Sequence, residues 1–264
     1  MNEIGLDDLK RIQLDILSFV DSFCREHDIH YWIDCGSLLG AIRHKGYIPW
    51  DDDIDIGMLR EDYDRFMSEF LDLTGRYVFK CQEKDPGFLY SAGKVLDTKT
   101  VLYEPDKNGY KLSVNIDVFV YDVVVHDEEL IKKMYDKRDF LRRLHQQRNA
   151  SYRIQGNVFK AVLGYLGRMI LHIFPRNYFV KRMLENSKSS IGRFSEYVGN
   201  FTSYSRIVCR REWVETAKRG PFENMEVNIP IGYDQWLKSF YGDYMKLPPK
   251  EKQVTHHTFE AYYL

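Results

Sequence analysis

The sequence predicts an α+β protein: a mixed sheet in its first half, a basic and mainly helical middle, and a short mixed part at the C-terminal end. Three observations carry this. Apolar residues recur at helical spacing over 7–28. Short alternating or β-branched runs bounded by Gly, Pro and Asn fill much of 30–120. From 127 onward the pattern turns helical while the charge turns positive. The divisions expected from these shifts are 1–126, 127–196 and 197–264. With 264 residues, 44% hydrophobic and 15% aromatic, the chain buries a core without disulfides or a structural metal. Cys24, Cys35, Cys81 and Cys209 show no Cys-x-x-Cys pair, and the first residues show no basic-then-apolar leader pattern. Reduced thiols and a cytoplasmic location are the expectation.

Along the chain, Leu9, Ile12, Ile16, Phe19, Val20 and Phe23 define one face of an amphipathic helix over 7–28. The run His30-Tyr31-Trp32-Ile33-Asp34 reads as a strand opening into a turn at Gly36-Ser37. After a loop, Asp51-Asp52-Asp53-Ile54-Asp55-Ile56-Gly57 alternates with period two, which puts Ile54 and Ile56 on one side of a strand and Asp53 and Asp55 on the other. A helix follows over 60–71, then strands at 76–82, 88–96, 100–104 and 114–120, some separated by Asp-Pro-Gly and Lys-Asn-Gly turn signals. Helices are expected over 127–148, 157–173 and 177–192, with Pro175 between the last two, and over 233–241.

The net charge of −1 conceals an asymmetry. Residues 131–193 hold 15 Lys/Arg against Asp136, Asp139 and Glu185, so this stretch is +12 and the remainder −13. Such a division implies one surface that meets something anionic and another that concentrates carboxylates. The apolar run 158–174 contains Lys160, Arg168 and His172 and falls short of the ~20 residues of a membrane span. It is read either as a bundle helix or as an interfacial helix on anionic lipid. Nucleic acid is not an expected partner, because no nucleic-acid motif is present and the acid-rich first half would repel a phosphate backbone.

Four aspartates within residues 51–55 repel one another unless a cation compensates them. On a strand, Asp53 and Asp55 project from one face ~6.5–7 Å apart and converge on a hard cation. Asp117, in Asn115-Ile116-Asp117-Val118-Phe119, is the expected third carboxylate, so the three would hold one or two Mg²⁺ ions, with Mn²⁺ equally suited to the oxygens. Asp51 shares the face of Asp53 on this period, whereas Asp52 faces away. An EF-hand is disfavoured because Ile56 stands where glycine is needed and Asp62 where glutamate is needed. A metal-dependent glycosyltransferase with an Asp-x-Asp remains an alternative, although only one helix and one strand precede Asp53. So does a solvated acidic turn.

The stretch 34–57, running Asp34-Cys35-Gly36-Ser37-Leu38-Leu39-Gly40, then Arg43-His44-Lys45-Gly46-Tyr47-Ile48-Pro49-Trp50, then the aspartates, resembles the signature of the LicD family. That family includes bacterial phosphocholine transferases and is related to fukutin and fukutin-related protein. Tyr90-Ser91-Ala92-Gly93-Lys94, Ile116-Asp117-Val118-Phe119, Tyr241-Gly242-Asp243-Tyr244-Met245-Lys246-Leu247-Pro248-Pro249 and His256-His257 resemble it further. The basic middle does so least.

The resemblance implies a nucleotidyltransferase-like fold and transfer of phosphocholine from CDP-choline to a sugar hydroxyl of a cell-surface glycan of the teichoic acid or lipopolysaccharide type, or of its lipid-linked precursor. It implies donor phosphate at Gly36 and Ser37, and metal at Asp53, Asp55 and Asp117. The spacing of fifteen residues between Ser37 and Asp53 departs from the compact superfamily pattern. Displacement at the β-phosphorus would release CMP, with Asp117 assisting deprotonation of the acceptor hydroxyl. Arg43, Lys45 and Lys94 are candidates to neutralise the donor diphosphate, and His256 or His257 to hydrogen-bond a phosphate or carboxylate. A choline headgroup asks for aromatic faces, for which Tyr31, Trp32, Tyr47, Trp50, Tyr90 and Trp213 are candidates among 19 tyrosines, 16 phenylalanines and four tryptophans. Ribitol or glycerol phosphate transfer by the same chemistry, and a non-catalytic metal-binding module that docks on membranes, are the rival expectations.

Overall fold

The computed structural model describes residues 2–104, 110–149, 158–190, 194–255 and 260–264. A seven-stranded mixed sheet forms its centre. Helix α1 (Leu6–Glu26) packs Leu9, Ile12, Ile16 and Val20 against it. Strand β1 (Trp32–Ile33) is followed by α2 (Cys35–Arg43), and the chain returns along α2 into β2 (Asp55–Leu59), antiparallel to β1. Then come α3 (Arg60–Glu69), β3 (Tyr77–Lys80), β4 (Gly93–Asp97), β5 (Thr100–Tyr103), β6 (Lys111–Leu112) and β7 (Asn115–Val123).

The nine residues of β7 organise the sheet. On one edge, Asp117 to Tyr121 pair in parallel with β2. On the other edge the partner changes: Asn115 to Val118 pair with β4, and Tyr121 to Val123 pair with β8 (Tyr197–Asn200), both antiparallel. Phe119 and Val120 lie at the split. Strand β9 (Ile207–Arg210) completes this side. Alternation along β7 buries Ile116 and Val118 and leaves Asp117 half-buried on the opposite face.

Between β7 and β8 lie α4 (Glu128–Asn149), α5 (Val158–Leu171) and α6 (Tyr178–Ser187). After β9 come the hairpin β10 (Ala217–Phe222) and β11 (Met225–Pro230), α7 (Tyr233–Tyr241) and β12 (Glu260–Tyr263), which pairs with β5. The hairpin is tied to the core by polar anchors. Arg219 pairs with Asp21 of α1, Asn228 donates to the Tyr31 carbonyl at 3.1 Å, and Glu223 accepts from the Tyr47 N–H at 2.9 Å. No helix among the described residues is long and apolar enough to cross a membrane.

The expected helices and most of the expected strands are present, with boundaries shifted. One element differs in kind: Gly36 and Ser37 lie in the first turn of α2 and not in a loop after β1. Glycines at 36 and 40 weaken helix propensity, yet packing requires both. A Cβ on Gly40 would come 2.3 Å from the Gly46 carbonyl of the returning loop, and one on Gly36 would come 2.8 Å from the Asp51 carboxylate. The expected strand 88–96 is regular only from Gly93, and the strand expected to carry Asp53 begins at Asp55. The Lys-Asn-Gly turn at 107–109 lies outside the described residues.

Candidate active site

Asp55 of β2, Asp117 of β7 and Lys94 of β4 occupy one row across the sheet, because Asp55 is in register with Asp117 and Asp117 with Lys94. Directly paired residues share a face, so the three side chains converge on the same side. The Lys94 ammonium forms an ion pair with Asp117 and donates to Asn115 Oδ1 at 3.0 Å. Burial works against that ammonium, but Asp117, Glu104 and Asp55 outweigh it and hold its pKa above the ordinary value.

Beside this row stands the acidic loop. The ligand oxygens of Asp51, Asp52 and Asp53 lie within 4.8 Å of one another. The period-two pattern had turned Asp52 away from its neighbours. Residues 51–53 are instead irregular, which frees all three carboxylates to approach. Asp52 is buried; its Oδ2 accepts from Thr255 Oγ1 at 3.0 Å and its carbonyl accepts from Gln13 Nε2 at 3.0 Å.

Helix α2 supports the acids from below. Ser37 Oγ accepts the Asp55 N–H at 3.0 Å, and Gly36 admits Asp51 to the helix N-terminus, where the dipole favours a carboxylate. In this structure, then, the Gly-Ser pair positions the carboxylates. Burial first, then Asp53, Asp117, Asp34 and Asp51, push Asp55 well above the usual carboxylate range. Asp34, fully buried and accepting from Tyr121 Oη at 2.8 Å, is pushed up to about 6, chiefly by burial. Burial first, then Asp34, Asp55, Asp53 and Asp117, push the Cys35 thiol well above its usual range, which disfavours its thiolate.

The site so built is a crowd of hard oxygen donors, one of which, Asp117, is paired with the Lys94 ammonium. This donor chemistry fits a hard divalent cation: the oxygens of Asp51, Asp52 and Asp53 are the grouped donors, and Asp55, in register with Asp117, feels the charge of both Asp53 and Asp117.

The remaining expected residues are placed as follows. Arg43, at the far end of α2, donates to the Tyr244 carbonyl at 2.8 Å and to His44 Nε2 at 2.9 Å. Lys45 is exposed, with its ammonium 3.3 Å from the Ile42 carbonyl. His256 and His257 lie outside the described residues. Among the aromatics, Tyr31, Trp32 and Tyr47 are core side chains, and Tyr47 Oη donates to Gln13 Oε1 at 3.0 Å. Trp213 packs its backbone against Gly232. Only Tyr90 of that group lines the cavity beside Asp117, and its hydroxyl donates to Glu104 at 2.8 Å.

Two parts of the site were not read from the sequence. Tyr241, at the end of α7, has its phenol pushed far up by burial of the hydroxyl and by Cys35, Asp55, Asp34 and Asp51. The phenol is thus within electrostatic reach of the acids, and the Tyr241-Gly242-Asp243 resemblance was the signal that could have found it. The second part is a cavity of about 390 Å³ at the split between β4 and β8, which Asp117, Lys94 and Phe119 line together with residues of α4 and the loop 202–204. Neither spacing nor composition announces it.

The likeness to known proteins is extensive. Residues 28–146 match the family model described as LicD/FKTN/FKRP, nucleotidyltransferase domain. The lipopolysaccharide cholinephosphotransferase LicD of Haemophilus influenzae is 31% identical over 272 aligned residues, which cover 100% of both chains. An uncharacterised protein of Rickettsia prowazekii is 60% identical over 37 residues, 14% of each chain. The human ribitol 5-phosphate transferase FKRP is 56% identical over 34 residues, 13% of this chain and 7% of the relative. With an end-to-end relative above 30% identity and a family domain laid over the acid row, this chain belongs to the LicD/FKTN/FKRP nucleotidyltransferase-domain family.

Proposed function

We propose that this phosphotransferase moves phosphocholine from CDP-choline to a sugar hydroxyl of a cell-surface glycan of the lipopolysaccharide or teichoic acid type, or of its lipid-linked precursor, and releases CMP. The observation that carries the reading is the end-to-end relationship to a lipopolysaccharide cholinephosphotransferase. The row of Asp55, Asp117 and Lys94 beside Asp51, Asp52 and Asp53 supports it as a site suited to phosphoryl transfer.

In the mechanism, Asp53, Asp55 and Asp117 would hold Mg²⁺, or Mn²⁺ in its place. When bound, the ion polarises phosphoryl oxygens and offsets charge on the departing CMP. Asp117 carries the ion pair with Lys94 and borders the cavity, so its carboxylate is oriented toward an incoming hydroxyl. The hydroxyl attacks the phosphorus that bears the choline ester, the bond to the CMP oxygen breaks, and the hydroxyl proton passes to the Asp117 side of the site. Lys94 stabilises negative charge that develops on the transferred phosphoryl group.

The exposed Lys132, Lys137, Arg143 and Lys181, with exposed Tyr165, Met169, Ile170 and Ile173 on and after α5, support peripheral contact with an anionic membrane at the inner face of the cytoplasmic membrane. A second reading, ribitol phosphate transfer from CDP-ribitol, is favoured by the local 56% identity to ribitol 5-phosphate transferases.

Calorimetry with CDP-choline, CDP-ribitol and CDP-glycerol, each with Mg²⁺ and again with EDTA, tests both readings. Metal-dependent binding of CDP-choline alone is expected. Binding of another CDP-alcohol in its place would move the substrate and keep the chemistry, and binding of none would remove the donor class.

A further inference from the structure

We propose that the cavity at the split between β4 and β8 is the acceptor site, built to hold a neutral sugar ring with its attacking hydroxyl at Asp117. This rests on the phosphoryl-transfer reading above.

The cavity follows from topology. Where β7 exchanges β4 for β8, the two loops that leave the split diverge: 88–92 leads into β4, and 201–205 follows β8. Ligand sites form where neighbouring chain segments diverge from a sheet in this way. Helix α4 clamps both lips. Arg138, 1% exposed, donates to the carbonyls of Ser203 at 3.0 Å and Ser205 at 2.7 Å, and His145 Nε2 hydrogen-bonds the Leu89 carbonyl at 2.8 Å. Ser91 Oγ joins the lips directly by donating to the Thr202 carbonyl at 2.7 Å. Asn200 Oδ1 fixes the turn by accepting from the N–H groups of Thr202 and Ser203, both at 2.9 Å. The opening is therefore preformed, and about 390 Å³ lies in the range of small-molecule sites.

Its position assigns the acceptor. In-line displacement puts nucleophile and leaving group on opposite sides of the phosphorus. Across the sheet the order is Asp55, Asp117, Lys94, with the carboxylate loop on the Asp55 side and the cavity on the Lys94 side. A donor diphosphate drawn to the carboxylate cluster through its cation leaves this cavity to the attacking group.

Its chemistry excludes the choline headgroup. A quaternary ammonium needs aromatic faces free of other cations. Here Lys94 lies over the ring of Tyr90 and Arg142 over that of Tyr204, each 4.9 Å from the centroid, and Asp117 is already paired with Lys94. A neutral sugar meets no such repulsion. Phe119, Leu89 and Met183 offer apolar contact to its C–H faces, and Gln146, Thr202 and Ser203 offer hydrogen bonds to its hydroxyls.

The test uses Gln146→Trp, which fills the cavity from an exposed position on α4, and Tyr204→Ala, at a residue that is 67% exposed. Lipid-free lipopolysaccharide oligosaccharide is the probe, observed by saturation-transfer NMR and as phosphocholine acceptor, while CDP-choline binding with Mg²⁺ is followed by calorimetry. Saturation transfer to the oligosaccharide in the wild-type protein and its loss in Gln146→Trp are expected. So are a KM for the oligosaccharide raised about tenfold or more in both variants and an unchanged Kd for CDP-choline. Weaker CDP-choline binding in either variant would give the cavity to the donor and overturn the proposal. Equal oligosaccharide signals in wild type and Gln146→Trp, or no signal in the wild type, would overturn it as well. Failure of the phosphocholine reading is distinct: the wild type would then bind no CDP-choline, whatever the oligosaccharide does.

Discussion

The acidic sheet and the basic helical segment carry opposite charge, and they use it in opposite ways. In the sheet, carboxylates are gathered against their mutual repulsion, and α2 and the register of β2 with β7 hold them there. In the segment 131–193, part of the positive charge is spent internally. Arg138 is buried on backbone carbonyls, while Asp139 is shared among Arg138, Arg142 and Arg206. Like charges gathered into one cluster at the end of a sheet mark chemistry, whereas a charge run whose members are buried on carbonyls or shared around a carboxylate is architecture. Composition along the chain does not separate these two cases, but burial and partners do.

The largest effect that would sharpen this contrast is at Asp55. Asp55→Asn should reduce transfer about 10³-fold and abolish Mg²⁺ binding by calorimetry. The melting temperature should exceed wild type increasingly as pH rises, because Asn cannot ionise beside Asp53 and Asp117 while the backbone bond to Ser37 persists. Retained activity would remove the metal assignment.

In the basic segment the corresponding change is Arg138→Ala, which should destabilise the protein by about 3 kcal/mol in denaturant titration by leaving buried carbonyls unpaired. Lys137→Ala, one residue away and exposed, should stay within about 0.5 kcal/mol of wild type. Equal losses at the two positions would break the distinction between internal and outward charge.

Acidity gives an intermediate effect. Asp34 titrates at about 6 in the folded chain against an ordinary value of 3.8. The stability held by its neutral form is complete below about pH 4 and is lost as pH rises through about 6. Asp34→Asn should remove that decline, seen as a flatter melting temperature between about pH 4 and 8. The raised pKa of Asp55 has a related consequence: Mg²⁺ must displace a proton, so its affinity should increase with pH. Parallel Tm profiles for Asp34→Asn and wild type would contradict the first statement, and a pH-independent Mg²⁺ affinity the second.

The smallest effect per residue is expected on the outward face. Reversing Lys137, Arg143 and Lys181 to Glu should weaken binding to vesicles of phosphatidylglycerol by about 1 kcal/mol per residue, while transfer to a lipid-free acceptor changes less. Unchanged vesicle binding would remove the membrane contact.

Much of the candidate site can be proposed from the sequence because its residues are close together or carry strong local patterns. Asp53 and Asp55 are two apart, and Asp117 is framed by Ile116 and Val118, which the sheet buries. Tyr90 entered as one of six aromatic candidates, and its neighbours show why the others could not be sorted: an aromatic that fills the core and one that faces a ligand have the same side chain. The helix at Cys35–Arg43 was missed because glycine at 36 and 40 argues locally against it, and only the packing of Asp51 and of the Gly46 carbonyl explains why those glycines are there.

By itself the sequence determined the α+β class, the amphipathic α1, the run of aspartates at 51–55 and the family, since each rests on periodicity or on a contiguous run of residues. Only the tertiary structure decided that Lys94 pairs with Asp117, that Arg138 is buried, and that a cavity opens where β7 changes partner. Those features join residues 23 to more than 100 positions apart, and the energy that fixes them comes from burial and register, which no local pattern encodes.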